Sequence, residues 1–169
     1  MKKLILTITL MTSIFSQAQS HFFEVYLEKW ENSKNYMLAV AEALPEEAYG
    51  FKPTEREMTF AVQLAHINQN INWLTTTYLV GETFEKVPFD DTLSKKELIA
   101  QLEASFNTTH TIIKSLSSAD LETKVDFFAG EKTKLHILNL LQDHVTHHRG
   151  QLLVYLNLNN IKPPRYVGW

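Results

Sequence analysis

The sequence predicts an all-α domain, and specifically a four-helix bundle. Four stretches space their apolar residues at threes and fours, the period of one helix face. Five Gly and five Pro in 169 residues are too few for a many-turned all-β chain. No stretch carries a convincing strand signal. An irregular all-α domain is the alternative architecture.

The chain opens with Lys2 and Lys3, an apolar and hydroxyl run from Leu4 to Phe15, and Ser16-Gln17-Ala18. This is the order of a signal peptide, with small residues at the cleavage site. Residues 1–18 are therefore expected to be removed, leaving residues 19–169 as one domain that begins at Gln19. The run is about a dozen residues with hydroxyls in it, whereas spanning a bilayer takes about 20. Export to the periplasm or outside the cell follows, with no stable membrane insertion after cleavage. No Cys follows the run, which excludes lipoprotein attachment at the new N-terminus and any chemistry that needs a protein thiolate.

Helix one is expected over His21 to Leu44, with Phe23, Leu27, Trp30, Met37, Val40, Ala41 and Leu44 on its inner face, and Pro45 stops it. Thr59 caps helix two. Phe60, Leu64, Ile67, Ile71, Leu74 and Tyr78 make it the cleanest amphipathic segment, ending at Gly81. Ser94 and Glu97 form a capping box for helix three, whose stripe is Leu98, Leu102, Phe106, Ile113 and Leu116. Helix four runs from about Thr133 to Asn159, about 40 Å long. The linkers Pro45–Met58, Glu82–Leu93 and Ser117–Lys132 are long enough for any of them to span the bundle, since twelve extended residues reach about 40 Å. Periodicity alone therefore leaves the topology open.

Charge excludes one class of partner. Losing Lys2 and Lys3 takes the net charge from −3 to −5, and only three Arg are present. Nucleic-acid binding needs clustered cations, so none is expected.

The histidines carry the chemistry. Of seven, three fall close together in Asp143-His144-Val145-Thr146-His147-His148-Arg149-Gly150-Gln151. His144 and His148 are i and i+4, which stacks them on one helix face about 6 Å apart at Cβ. Leu138, Leu141, Val145, Leu152 and Leu156 define the inward seam of helix four, and His148 lies on it with His144 at its edge. Unpaired, a polar ring there costs about 1–3 kcal/mol. On helix two, His66 sits beside the seam residue Ile67. A divalent metal held by His66, His144 and His148 would satisfy all three rings; hydrogen-bonded core-edge histidines are the plainer alternative. Val145 occupies the place of the Glu in HExxH, which argues against a protease of that design. His110 and His136 read as surface or core-edge residues, His21 as the start of helix one, and His147 as either an outer neighbour of the site or exposed.

These residues resemble the DinB/YfiT-like family of metalloenzymes. The resemblance is carried by Phe51-Lys52-Pro53-Thr54, by Met58-Thr59-Phe60-Ala61 leading into Leu64-Ala65-His66-Ile67, by the His144 to Gln151 stretch, and by Asn160-Ile161-Lys162-Pro163-Pro164. It covers about Gln19 to Trp169, and the HHRGQ stretch with the proline pair is its most specific part. It implies an up-down-down-up bundle in which the Glu82–Leu93 linker is the lengthwise crossover. It also implies a divalent ion, zinc or nickel, on the positions of His66, His144 and His148. Characterised relatives include thiol S-transferases that use bacillithiol, mycothiol or glutathione, and a maleylpyruvate isomerase. Those thiols are chiefly cytosolic, so an export leader departs from the thiol-transfer pattern.

Three function classes follow. The first is a metal-dependent hydrolase or (thiol) transferase with a three-His site and an open coordination position. The second is a non-catalytic metal- or small-ligand-binding bundle, and the third a helical interaction protein with structural histidines. The expected partner is a small-molecule substrate or thiol, and a homodimer is allowed. Asp143, Glu55, Asn70 and Gln63 are the candidate polar neighbours of the site, with Asp143 or Glu55 able to close the shell as a fourth ligand.

Overall fold

Local chemistry starts and stops each long helix of the computed structural model. The backbone is described for residues 2–169 and side chains for residues 21–169, so Met1 and the side chains of the leader expected over residues 1–18 lie outside the described residues. Helix α1 (Lys2–Ala43) ends ahead of Pro45 in a 3₁₀ turn, Glu46–Ala48. Helix α2 (Phe60–Leu74) starts where Thr59 Oγ1 accepts the Val62 N–H at 3.2 Å. It then widens into a π-helical turn, Thr75–Val80, and stops at Gly81, whose φ of 95° suits a residue without Cβ. The Ser94–Glu97 capping box opens α3 (Lys95–Ser115) as the sequence implies. Helix α5 (Lys134–Leu158) opens with a box in which His136 replaces the usual carboxylate. Thr133 Oγ1 accepts the His136 N–H, and His136 Nδ1 accepts the Thr133 N–H.

The third linker is not structureless. It holds a one-turn helix α4 (Ser118–Leu121) and two short antiparallel strands, β1 (Lys124–Val125) and β2 (Lys132–Thr133), which pair Lys124 with Thr133. Two-residue strands are too short to show alternation, so sequence periodicity passes over them.

Hydrogen bonds between helices fix their directions. Tyr26 donates to the Leu138 carbonyl at 2.6 Å and Gln142 to Ser33 at 2.7 Å, so α1 and α5 run the same way. Trp30 donates to the Phe106 carbonyl and Lys95 reaches the carbonyls of Glu42 and Leu44, so α3 opposes α1. Asn72 bonds Ser105 and Thr75 bonds Thr109, which sets α2 parallel to α3. The Gln63–Gln151 and Lys134–Leu79 bonds set α2 antiparallel to α5. The Glu82–Leu93 linker must therefore carry the chain back along the bundle before α3 can start, and it does so across the exposed side of α2, where the Val87 carbonyl accepts from Gln69 Nε2.

The core is the seam the sequence marks: Trp30, Met37, Leu44, Phe60, Leu64, Ile67, Ile71, Leu102, Phe106, Ile113, Leu138, Leu141, Val145, Leu152 and Leu156 are all buried. Trp30 packs against Phe106 with ring centroids 4.7 Å apart. Emptying such a position costs about 3–5 kcal/mol, so the helices beneath the site are held rigidly. Among the described residues no helix is long and apolar enough to cross a membrane.

Candidate metal centre

His66 comes from the middle of α2, and His144 and His148 from successive turns of α5. The antiparallel packing of these helices brings all three together. One ring nitrogen of each lies within 4.8 Å of the others. His66 Nε2 and His144 Nε2 are 3.0 Å apart. The ring centroids of His66 and His148 are 4.6 Å apart, and those of His144 and His148 4.4 Å. Two nitrogens bound at about 2.0–2.1 Å to one ion are themselves about 3 Å apart, so the His66–His144 spacing matches a shared cation and His148 lies close enough to join it.

A polar chain fixes the tautomer of His148. Tyr155 O–H donates to the Met58 carbonyl at 2.8 Å, which leaves the phenol oxygen to accept from Gln63 Nε2 at 3.4 Å. Gln63 Nε2 also donates to Gln151 Oε1 at 2.9 Å. Gln63 Oε1 must then face His148 Nδ1, 2.6 Å away, and Gln151 Oε1 lies 2.9 Å from the same nitrogen. With two acceptors against it, Nδ1 carries the proton, and Nε2 keeps a lone pair for the centre. Gln63 is fully buried, so this arrangement is fixed within the bundle.

All three rings are held neutral. Burial, followed by the neighbouring His148, His66 and His147, pushes His144 down to about 3. Burial and His66 lower His148 to about 4, against the raising effect of the Gln151 bond. His66 is lowered by burial and then by the charge of Lys86. Neutral imidazole is the metal-binding form. His144 Nδ1 is buried with no partner and its Nε2 meets only another histidine, so its polar end is satisfied far better by a cation than by the protein. The donor set fits a divalent ion.

The remaining sequence candidates separate cleanly. His147 is exposed and contacts Gln151 Nε2 at 3.3 Å, placing it outside the group. His136 caps α5, His110 lies 3.9 Å from Glu31, and His21 lies 3.7 Å from Glu24. Glu55 is exposed and pairs with Lys52, and Asp143 is exposed with its charge bearing on Tyr26. Among the described residues no carboxylate joins the three-His group, so neither closes its shell. Gln63 contacts a candidate ligand directly. Sequence reasoning missed the parts played by Gln151 and Tyr155, although i+3 and i+7 spacing from His148 puts them near its face. It also missed Lys86 and Trp73, which line a cavity of about 370 Å³ beside His66 together with Gln69, Asn70 and Phe84. On another side of α5, Arg149 is buried with its guanidinium 4.8 Å from the centre of the Tyr36 ring, and Tyr36 meets Tyr166 edge-on at 6.2 Å.

Comparison with known proteins places the fold and the family. An uncharacterized protein, YjoA, of Bacillus subtilis (strain 168) is 26% identical over 149 residues, covering 83% of this chain and 88% of that protein. The crystal structure of the DinB-like YjoA from Bacillus subtilis aligns with a TM-score of 0.71 at 20% identity, covering 83% of this chain and 95% of that one. A DinB-like protein from Bacillus cereus ATCC 10987 aligns with a TM-score of 0.73 at 21% identity, covering 85% and 97%. At those identities the two structures establish the fold alone. The sequence itself matches the DinB superfamily over residues 29–152, a span that contains α2, α3 and all three clustered histidines. The helical bundle and that match together make the chain a member of the DinB superfamily.

Proposed function

We propose that the protein is a metal-dependent enzyme, a hydrolase or transferase, in which His66, His144 and His148 hold one divalent ion, zinc or nickel. The observation that carries this reading is the convergence of three neutral imidazoles within 4.8 Å with no carboxylate among them. A bound ion there supplies Lewis-acid chemistry, lowering the pKa of water or a thiol or stabilising an oxyanion. The protein's own residues do the rest. Gln63 and Gln151 orient His148 by accepting its Nδ1–H, and Tyr155 fixes Gln63. Three neutral ligands leave the cation's charge uncompensated, and structural zinc sites usually close with four protein ligands, so this donor set suits reactivity. That no carboxylate of the described residues joins the histidines favours, as a second reading, a bundle that binds metal or a small ligand without turnover. Export after removal of residues 1–18, and action on a small molecule or thiol outside the cytosol, belong to the same proposal.

The test is metal analysis of untagged protein. Near one zinc or nickel per chain, lost on changing any one of the three histidines to Ala, supports the centre. Wild-type protein that retains no metal after exposure to excess zinc and nickel refutes it. Hydrolysis or thiol transfer by the loaded protein, tested on panels of esters and thiols, separates the enzyme from the binding bundle.

A further inference from the structure

The Glu82–Leu93 linker places one cation beside the histidines, and nothing described so far uses it. Lys86 shares the cavity wall with His66, and its charge is felt at that ring. No carboxylate of the described residues lies within ion-pair distance of it. The linker is tied to α2 by the Gln69–Val87 bond, one residue away. A chain carrying an excess of acidic residues thus presents an unpaired lysine to a group of neutral imidazoles. Of the three imidazoles it is His66 that lines this cavity; if the group holds a divalent ion, that ion and Lys86 stand at the same end of the cavity, and an anion is what relieves their repulsion.

The other walls describe the rest of the ligand. Trp73 and Phe84 give the cavity two aromatic surfaces. Trp73 is itself backed by Tyr78, Phe127 and Phe128, with ring centroids 5.6, 6.2 and 6.3 Å away. Asn70 adds an amide whose Oδ1 is buried without a partner. A volume of about 370 Å³ lies at the small end of ligand pockets, which run from about 300 to 1,000 Å³. One lysine matches a monoanion; a phosphate group is better served by an Arg fork or several donors.

We propose that this cavity binds a small carboxylate with an aromatic or apolar body, its carboxylate held between Lys86 and the three-histidine centre and its body against Trp73 and Phe84. The metal half of this statement rests on the proposed function above, whereas the Lys86 half does not, and the experiment separates them. Phenylacetate and its neutral isostere phenylacetamide are titrated into zinc-loaded and metal-free protein by ligand-observed NMR. The expected result is a preference for phenylacetate of about tenfold in the zinc-loaded protein. Lys86→Met should cut that preference about fivefold, as suits an accessible ion pair, and Lys86→Arg should keep it. Trp73→Ala should weaken both ligands alike. Lys86 is exposed in a linker, so its variants fold, and zinc content measured alongside shows that the centre is intact. Equal binding of the two compounds, binding of neither at about 20 mM, or a preference untouched by Lys86→Met overturns the proposal. Should the wild type hold no zinc, the metal reading fails by itself, and the Lys86-dependent preference in the metal-free protein still decides this one.

Discussion

Gln63→Leu is the substitution that tests the tautomer argument most directly. Leucine is close in volume and keeps the interior apolar, but it removes the acceptor 2.6 Å from His148 Nδ1 and the donor to Gln151 and Tyr155. His148 Nδ1–H retains its 2.9 Å bond to Gln151, and Tyr155 retains its bond to Met58. Two or three bonds are therefore lost and no donor is left wholly unpaired. At about 1 kcal/mol each, the fold should weaken by about 2–3 kcal/mol, or about 5–10 °C in Tm, which a bundle of this size survives. The effect on the metal should be larger in proportion. Outer partners of a ligating histidine are worth about 10–100-fold in affinity, because the ring, held by Gln151 alone, can then shift and carry its Nε2 lone pair away from the centre. Gln63→Glu restores the acceptor and should return zinc affinity to within a few-fold of wild type, even though the buried charge lowers stability. Zinc affinity is read by competition with a chromophoric chelator, and stability by thermal unfolding with excess chelator. If Gln63→Leu holds zinc as tightly as the wild type while His148→Ala does not, the assignment of the His148 proton is wrong.

Other outcomes follow from the same geometry. Ala at His66, His144 or His148 should each abolish stoichiometric metal, whereas Ala at His110, His136 or the exposed His147 should leave it in place, as metal analysis of each purified variant will show. In the cobalt-substituted protein, azide or a small thiol should change the visible spectrum saturably; an unchanged spectrum with cobalt still bound would mean that the shell is closed. The metal-free protein should lose stability as pH falls below about 6.5, because the unfolded chain takes up protons that the folded one refuses until His148 titrates at about 4. From His148 alone the loss at pH 5 relative to pH 7 is about 2 kcal/mol, and a urea midpoint that does not move over this range contradicts a buried neutral ring. Intact mass of exported protein should correspond to a chain beginning at Gln19, and recovery of full-length protein in the membrane fraction would contradict the leader.

The helices and their buried stripes were legible because amphipathic periodicity and capping residues are local signals. Thr59 and Ser94 mark starts, Pro45 and Gly81 mark stops, and the structure keeps each of them. The pairing of His144 with His148 was legible for the same reason, and His66 because it neighbours a seam residue on a strongly patterned helix. Helix directions were not, since an amphipathic stripe looks the same from either end; long-range bonds such as Trp30 to Phe106 and Thr75 to Thr109 supply them. The π turn after Leu74 was also hidden, because Tyr78 keeps its place on the buried face through it. Lys86 could not be placed, because an irregular linker carries no period from which to infer what it lies over.

Arg149 and His148 are consecutive, so their side chains leave α5 about 100° apart. His148 is held from α2 by Gln63, and Arg149 packs on the ring of Tyr36, which the tail residue Tyr166 meets edge-on. A rod gripped at two such bearings cannot spin. A helix side chain ends about 5–6 Å from the axis, so a twist of about 20° would sweep the imidazole through about 2 Å, a full ligand bond length. The azimuth at which α5 offers His144 and His148 to α2 is thus set partly from another side of the helix, by Tyr36 of α1 with a tail tyrosine packed against it.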